Sequence, residues 1–72
     1  MKRIFMSGCG GMLGEAFYEV FKSENDLKCT DIDLNEPWLE YLDFTDRDSY
    51  INDVEEFNPD YLFHLGAQPY LN

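Results

Sequence analysis

The chain has 72 residues, a formal net charge of −10 and 44% hydrophobic residues. This acidity argues against nucleic acid or an anionic membrane surface as the main partner, because both attract basic patches. The hydrophobic content predicts one small folded domain rather than a disordered chain, although so short a chain is expected to have marginal stability.

The N-terminal third is predicted to form a strand, a glycine turn and a helix. Residues 2–7 contain an apolar run typical of a buried strand. Residues 12–24 have helical periodicity, with an apolar stripe formed by Leu13, Ala16, Phe17, Val20 and Phe21. The turn between them carries the spacing G-x-x-G-x-x-G at Gly8, Gly11 and Gly14.

A strand that turns on glycine into a helix leaves backbone N–H groups free at the positive end of the helix dipole. Such a turn binds the pyrophosphate of a dinucleotide, and its glycines provide the tight turn, the close approach of phosphate and the close helix packing. The sequence therefore predicts a dinucleotide site here. The alternative is a purely structural glycine-rich turn.

The remaining segments continue the alternation of strands and helices. Strands are predicted at 27–31, around 40–42 and at 61–65, and a helix has apolar residues at 50, 51, 54 and 57. Residues 45–48 have the form of a capping box opening that helix, and Pro59 ends it after Asn58. This order predicts an α/β fold: the first half of a Rossmann-like parallel sheet. It would contain about four strands and two helices, with helices on both faces of the sheet.

The two cysteines and the N-terminus indicate an intracellular protein. Cys9 and Cys29 lack a cysteine or histidine at metal-ligand spacing, so we expect two reduced thiols and no metal site. The apolar run after Lys2 and Arg3 is too short for a signal peptide, and no segment approaches the length of a membrane span. The expected location is cytoplasmic.

Asp31 is the candidate ligand of the adenosine ribose. It lies at the predicted end of the second strand, 17 residues beyond Gly14, where a carboxylate accepts hydrogen bonds from both ribose hydroxyls. A carboxylate also repels a 2′-phosphate, and no Lys or Arg lies between Lys28 and Arg47 to receive one. The prediction is therefore NAD rather than NADP. The alternative is that Asp31 is a solvated loop acid.

Three other features each have a functional and a structural interpretation. Asp43 and Phe44 follow the third strand, where they would border the adenine, but Asp43 also suits a turn before the next helix. His64 is the only histidine, and its place in an apolar strand favours a packed side chain over a catalytic one. Tyr18-x-x-x-Lys22 matches a reductase motif, yet its place on the first helix predicts helix surface.

The glycine spacing, Asp31, the run Asp43-Phe44-Thr45-Asp46 and the segment 59–67 together resemble the N-terminus of extended short-chain dehydrogenases/reductases. That family comprises NAD(P)-dependent nucleotide-sugar epimerases, dehydratases and reductases. The sequence of residues 10–14 is particularly similar to that of dTDP-4-dehydrorhamnose reductases. Gly66 departs from the alanine that is commoner in the family.

The resemblance implies a partial NAD(P)-binding Rossmann domain over residues 1–72, with NAD as the cofactor. It assigns the pyrophosphate to Gly8, Gly11, Met12, Leu13 and Gly14, the ribose to Asp31, the adenine to Asp43 and Phe44, and the ribose on the nicotinamide side to Leu65, Gly66 and Ala67. The family's catalytic Tyr-x-x-x-Lys and its sugar-nucleotide domain would lie beyond residue 72, so no catalytic residue is assigned here.

Two hypotheses about function follow. The first is the dinucleotide-binding N-terminal fragment of a nucleotide-sugar epimerase, dehydratase or reductase. The second is a stand-alone, non-catalytic module that binds a nucleotide or another protein. In either case we expect self-association or a missing C-terminal part, since side chains such as Phe5, Leu62 and Phe63 would lack their usual apolar neighbours.

Overall fold

A computed structural model describes residues 1–65. It contains, in chain order, β1 (Arg3–Ser7), α1 (Met12–Phe21), β2 (Asp26–Asp31), β3 (Leu39–Tyr41), α2 (Arg47–Phe57) and β4 (Tyr61–His64). The strands form one parallel sheet in the order β3-β2-β1-β4. The predicted α/β, Rossmann-like half sheet is confirmed. Gly66 and Ala67, assigned above to the cofactor site, lie outside the described residues.

The core is built on the two faces of the central strand β1. Met6, which is fully buried, lies in an apolar cluster with Cys29 and with side chains of α1. Phe5 points to the other face, where the rings of Tyr50 and Phe57 on α2 contact it edge-on. Each helix therefore covers one face of the sheet. The expectation that Phe5 lacks neighbours was wrong, since its exposed fraction is 0%.

Helix α1 packs through a face that includes only part of the predicted stripe. Gly14 is buried, and Phe17, Tyr18 and Phe21 pack against the core cluster. These positions have the i, i+3, i+4, i+7 spacing of one helix face. Leu13 and Val20 are 57% and 68% exposed, and Ala16 is also exposed. The contact at Gly14 sets the rotation of the helix and turns part of the apolar stripe away from the sheet.

Helix α2 begins one residue later than the predicted capping box requires. Asp46, not Thr45, is the N-cap, and its carboxylate accepts from the N–H of Ser49 at 3.4 Å. The predicted end is confirmed: Asn58 takes the left-handed conformation, with φ 51°, and its N–H donates to the carbonyl of Val54. Asx side chains tolerate that conformation better than most residues.

The predicted bounds of the strands and of α1 differ slightly from the structure. The third strand is Leu39–Tyr41 rather than 40–42, and α1 ends at Phe21 rather than at residue 24. Within residues 1–65, β4 pairs only with β1, and Leu62 is 48% exposed, as expected for an edge strand. Neither helix of this part of the chain has the length and apolar character that crossing a membrane requires.

Candidate functional site

The first half of the glycine turn is held against β2. Gly8 has φ 73°, a conformation that side chains other than glycine rarely adopt. The N–H groups of Gly8 and Cys9 both donate to the carbonyl oxygen of Thr30, at 2.9 and 3.1 Å. The chain therefore leaves β1 in a fixed direction and passes directly over the end of β2.

Gly14 lets α1 lie against this turn. A Cβ at position 14 would overlap the backbone of Cys9, reaching within 2.6 Å of its carbonyl carbon. The obstacle is main chain rather than a flexible side chain, so it cannot move aside cheaply. This is the close packing of helix on strand that the third glycine of a dinucleotide-binding turn provides.

The start of α1 presents free hydrogen-bond donors. Gly11 is the N-cap, with extended backbone angles and no side-chain cap. Within residues 1–65, no acceptor contacts the N–H groups of Gly11, Met12 or Leu13, and all three residues are exposed. A Cβ built at Gly11 meets no atom within 4 Å, so this side of the turn is open. Free N–H groups at the positive end of a helix dipole favour an anion.

Asp31, the last residue of β2, is hydrogen-bonded to this turn. Its Oδ2 accepts from the N–H of Gly10 at 2.7 Å, and its Oδ1 accepts from the N–H of Asp33 at 3.0 Å. Asp31 is therefore not a free loop acid in this structure. Each carboxylate oxygen has two lone pairs, so each keeps one for a further donor such as a ribose hydroxyl.

Gly10 and Asn35 are site residues that sequence reasoning missed. A Cβ at Gly10 would lie 2.9 Å from Oδ2 of Asp31, and the side-chain amide of Asn35 donates to the carbonyl of Gly10 at 3.0 Å. The adjacent glycines 10 and 11 were a signal that position 10 also needs a small residue. Nothing in the sequence distinguished Asn35 from other polar loop residues.

Asp43 is held in a local turn. Its Oδ1 accepts from both the N–H and the hydroxyl of Thr45, at 2.9 and 2.6 Å, and these two bonds lower the pKa of the Asp43 carboxyl. The turn matches the structural interpretation of this residue and leaves Oδ2 for another donor. Asp43 also lines a groove of about 290 Å³ between β3 and α2.

His64 is not enclosed in an apolar environment, contrary to its predicted packing. It is exposed, and its Nδ1 lies 2.8 Å from the hydroxyl of Ser7, which in turn lies 3.3 Å from the hydroxyl of Tyr50. The ring of Phe44 contacts the ring of His64 edge-on, with 4.7 Å between the ring centroids. This polar chain joins the ends of β1 and β4 to α2. Ser7 is buried, so its hydroxyl takes its hydrogen-bond partners from the side chains of His64 and Tyr50.

Tyr18 and the two cysteines are engaged in packing. Tyr18 is half-buried and stacks on Trp38, with 4.0 Å between the ring centroids. It therefore lies at a contact between α1 and a loop rather than on the open helix surface that the sequence predicted. Cys9 and Cys29 are free, buried thiols. The neighbouring Cys9 thiol, together with burial, raises the pKa of the Cys29 thiol above its usual range.

The candidate residues meet along one edge of the sheet. The glycine turn follows β1, Asp31 ends β2, Asp43 follows β3, and Leu65 follows β4 with its N–H donating to the carbonyl of Ser7 at 2.8 Å. Ligands of open α/β sheets bind outside the carboxyl ends of the strands. The topology therefore places every predicted site residue that lies within residues 1–65 at this edge of the sheet.

No protein-family model and no curated protein matches this sequence. Solved structures do match its fold. L-threonine dehydrogenase from Clostridium difficile matches with a TM-score of 0.83 and 22% identity, over 94% of this chain and 24% of that chain. L-threonine 3-dehydrogenase from Trypanosoma brucei matches with a TM-score of 0.74 and 24% identity, over 94% of this chain and 25% of that one.

L-threonine dehydrogenase from Phytophthora infestans matches with a TM-score of 0.71 and 25% identity, covering 92% of this chain and 23% of that one. The chain thus spans about a quarter of the length of these structures. These likenesses establish the fold, a Rossmann-like half sheet that also occurs in dehydrogenases.

Proposed function

We propose that this chain binds NAD through the adenosine diphosphate half of the cofactor. The observation that carries the proposal is the set of free N–H groups at Gly11, Met12 and Leu13, next to a carboxylate that is fixed to the same turn. The donors suit a diphosphate, and the spare lone pairs of Asp31 suit the two hydroxyls of a ribose. Gly8 and Gly14 shape the turn without needing to contact the ligand.

The charge around Asp31 supports NAD over NADP. Asp33 lies two residues further along the loop, and a 2′-phosphate placed here would meet both carboxylates. Lys28, the nearest preceding cation in the sequence, forms an ion pair with Glu40 at 3.0 Å. A 2′-phosphate therefore has repulsive neighbours at this end of β2 and no cation in the loop after it.

The proposed site extends along the sheet edge to the other strands. Asp43 would accept from the exocyclic amine of adenine through Oδ2, with Phe44 beside the ring. Leu65 would border the ribose on the nicotinamide side, together with Gly66 and Ala67. No residue of this chain is proposed to be catalytic. Tyr18, the tyrosine of its Tyr-x-x-x-Lys sequence, is stacked on Trp38 and lies on α1, past the turn.

The larger reaction is proposed from similarity. The sequence motifs resemble reductases and epimerases of nucleotide sugars, including dTDP-4-dehydrorhamnose reductases, whereas the matching folds belong to L-threonine dehydrogenases. Both classes support a nicotinamide-dinucleotide-dependent oxidoreductase that interconverts a hydroxyl and a carbonyl group. We place this chain as the dinucleotide-binding part of such an enzyme. The fold supports neither substrate class over the other.

A test of this function compares pieces of the cofactor. In calorimetric titrations of the 72-residue chain, we expect ADP-ribose to bind within about threefold of NAD, because the proposed contacts lie in the adenosine diphosphate half. Nicotinamide mononucleotide is the matched control, since it carries the other half and one phosphate. Tighter binding of nicotinamide mononucleotide than of ADP-ribose would contradict the proposal.

The second candidate function, a non-catalytic interaction module, is favoured by exposed apolar side chains. Met12 and Val20 on α1 are 91% and 68% exposed, and Leu62 on β4 is about half exposed. An unpaired strand edge beside apolar surface favours association with a second copy. Self-association would appear in light scattering as a mass above that of the monomer. A monodisperse monomer that binds no dinucleotide would exclude both the proposed NAD site and self-association.

A further inference from the structure

The backbone at Gly10 is held from two sides by the loop that follows β2. On one side its N–H donates to Oδ2 of Asp31 at 2.7 Å. On the other side its carbonyl oxygen accepts from Nδ2 of Asn35 at 3.0 Å. These two side chains are four residues apart in the sequence, so one loop fixes both polar groups of one turn residue.

The bond from Asn35 fixes the direction of the next N–H group. The peptide between Gly10 and Gly11 is trans, so the carbonyl of Gly10 and the N–H of Gly11 point in opposite directions. Because the carbonyl faces Asn35, the N–H of Gly11 faces away from that loop. Within residues 1–65 it meets no acceptor. A rotated peptide would instead turn a carbonyl oxygen toward a bound phosphate.

The turn needs such a restraint because it contains two adjacent glycines. Glycine has no Cβ to restrict its backbone angles, so a Gly-Gly peptide rotates more easily than most. A Cβ at position 10 would lie 2.9 Å from Oδ2 of Asp31, so a side chain there would displace the carboxylate that accepts from this residue's N–H. Position 11 is open and is not restrained by packing. A hydrogen bond to the carbonyl of Gly10 supplies the restraint on peptide rotation that the two glycines lack.

We propose that Asn35 is a positioning residue for a diphosphate ligand. It holds the Gly10–Gly11 peptide so that the N–H of Gly11 is presented to the phosphate, without touching the ligand itself. The inference rests on the proposed function, since it concerns the same site. It also links the two parts of that site, because Asp31 and Asn35 belong to one loop and act on one residue of the turn.

The test compares ADP, which carries the diphosphate, with adenosine, which does not. The variant Asn35→Leu keeps the approximate shape of the side chain and removes the donor, and Asn35→Ala removes the side chain. We expect the dissociation constant of ADP to rise about three- to tenfold in both variants, as for the loss of one neutral hydrogen bond. The dissociation constant of adenosine should change less than about twofold.

The matched control is Asn52→Leu, because Asn52 is an exposed asparagine of α2 with no side-chain hydrogen bond among the described residues. It should leave both constants unchanged. Equal weakening of ADP and adenosine, or unfolding of both Asn35 variants by circular dichroism, would assign Asn35 a purely structural role and overturn the inference. Unchanged ADP binding would overturn it as well. Failure of the unmodified chain to bind either compound would instead overturn the proposed function.

Discussion

Replacing Gly14 with alanine is expected to destabilise the chain by about 3 kcal/mol, the upper part of the usual range for overpacking. The added Cβ would overlap the backbone of Cys9, and that backbone is fixed by the bond from its N–H to Thr30. Relief requires moving α1 away from β1. Since small domains have a total stability of roughly 5 kcal/mol, Gly14→Val is expected to leave the chain largely unfolded.

The measurement is urea unfolding followed by circular dichroism, with Gly11→Ala as the matched control. A Cβ at Gly11 meets nothing within 4 Å, so this second glycine-to-alanine change should cost no more than about 1 kcal/mol through the weaker N-cap. Equal losses in the two variants would mean that the contact between α1 and the turn does not determine stability. A Gly14→Ala variant as stable as the parent chain would contradict the packing described above.

Replacing Asp31 with alanine is expected to weaken NAD binding by about 10- to 100-fold, the range for hydrogen bonds to a charged group. The variant loses the acceptor for the ribose hydroxyls and also frees the N–H of Gly10. In the unmodified chain NAD should bind more tightly than NADP. In the variant this preference should narrow, because a carboxylate no longer repels the 2′-phosphate.

Calorimetry with both dinucleotides measures this change, and Asp48→Ala is the matched control. Asp48 is an exposed carboxylate in the first turn of α2, so its removal changes the net charge equally without touching the glycine turn. A comparable loss in Asp48→Ala would assign the effect to net charge. Tighter binding of NADP than of NAD by the unmodified chain would show that the role given to Asp31 is wrong.

The fold could be predicted from the sequence because its turn residues clearly mark where one element ends and the next begins. Glycines at 8 and 14 mark a turn that no other residue type fits, and the structure gives each a separate reason: a positive φ at Gly8 and backbone contact at Gly14. The order of strands and helices then implies a parallel sheet. The ends of the elements were predicted less well, because local bonds such as those from Thr45 to Asp43 compete with a helix cap.

Side-chain environment was harder to predict than secondary structure. Periodicity identified apolar residues on α1, but the burial of Gly14 decides which of them face the sheet, and Leu13 and Val20 do not. His64 ends β4, which is an edge strand within residues 1–65, and its side chain is exposed there. These outcomes depend on contacts between distant segments, which a pattern within one segment does not contain.

The candidate site was predicted in part for the same reason. The turn and Asp31 were recognised because each has a fixed place relative to a strand end. The bond from Asn35 to Gly10 joins residues 25 positions apart through an irregular loop, and no spacing rule covers it. Gly10 was passed over because the three-glycine spacing already accounted for the turn.

The most direct test of the central claim is an NMR titration of the ¹⁵N-labelled chain with NAD. The account predicts saturable shifts of the amide signals of Gly11, Met12 and Leu13, which have free N–H groups, and of residues next to Asp31. Phosphate binding at these donors should move them further than any signal from the C-terminal half of α2. Absence of saturable shifts, or shifts confined to the groove between β3 and α2, would contradict the account.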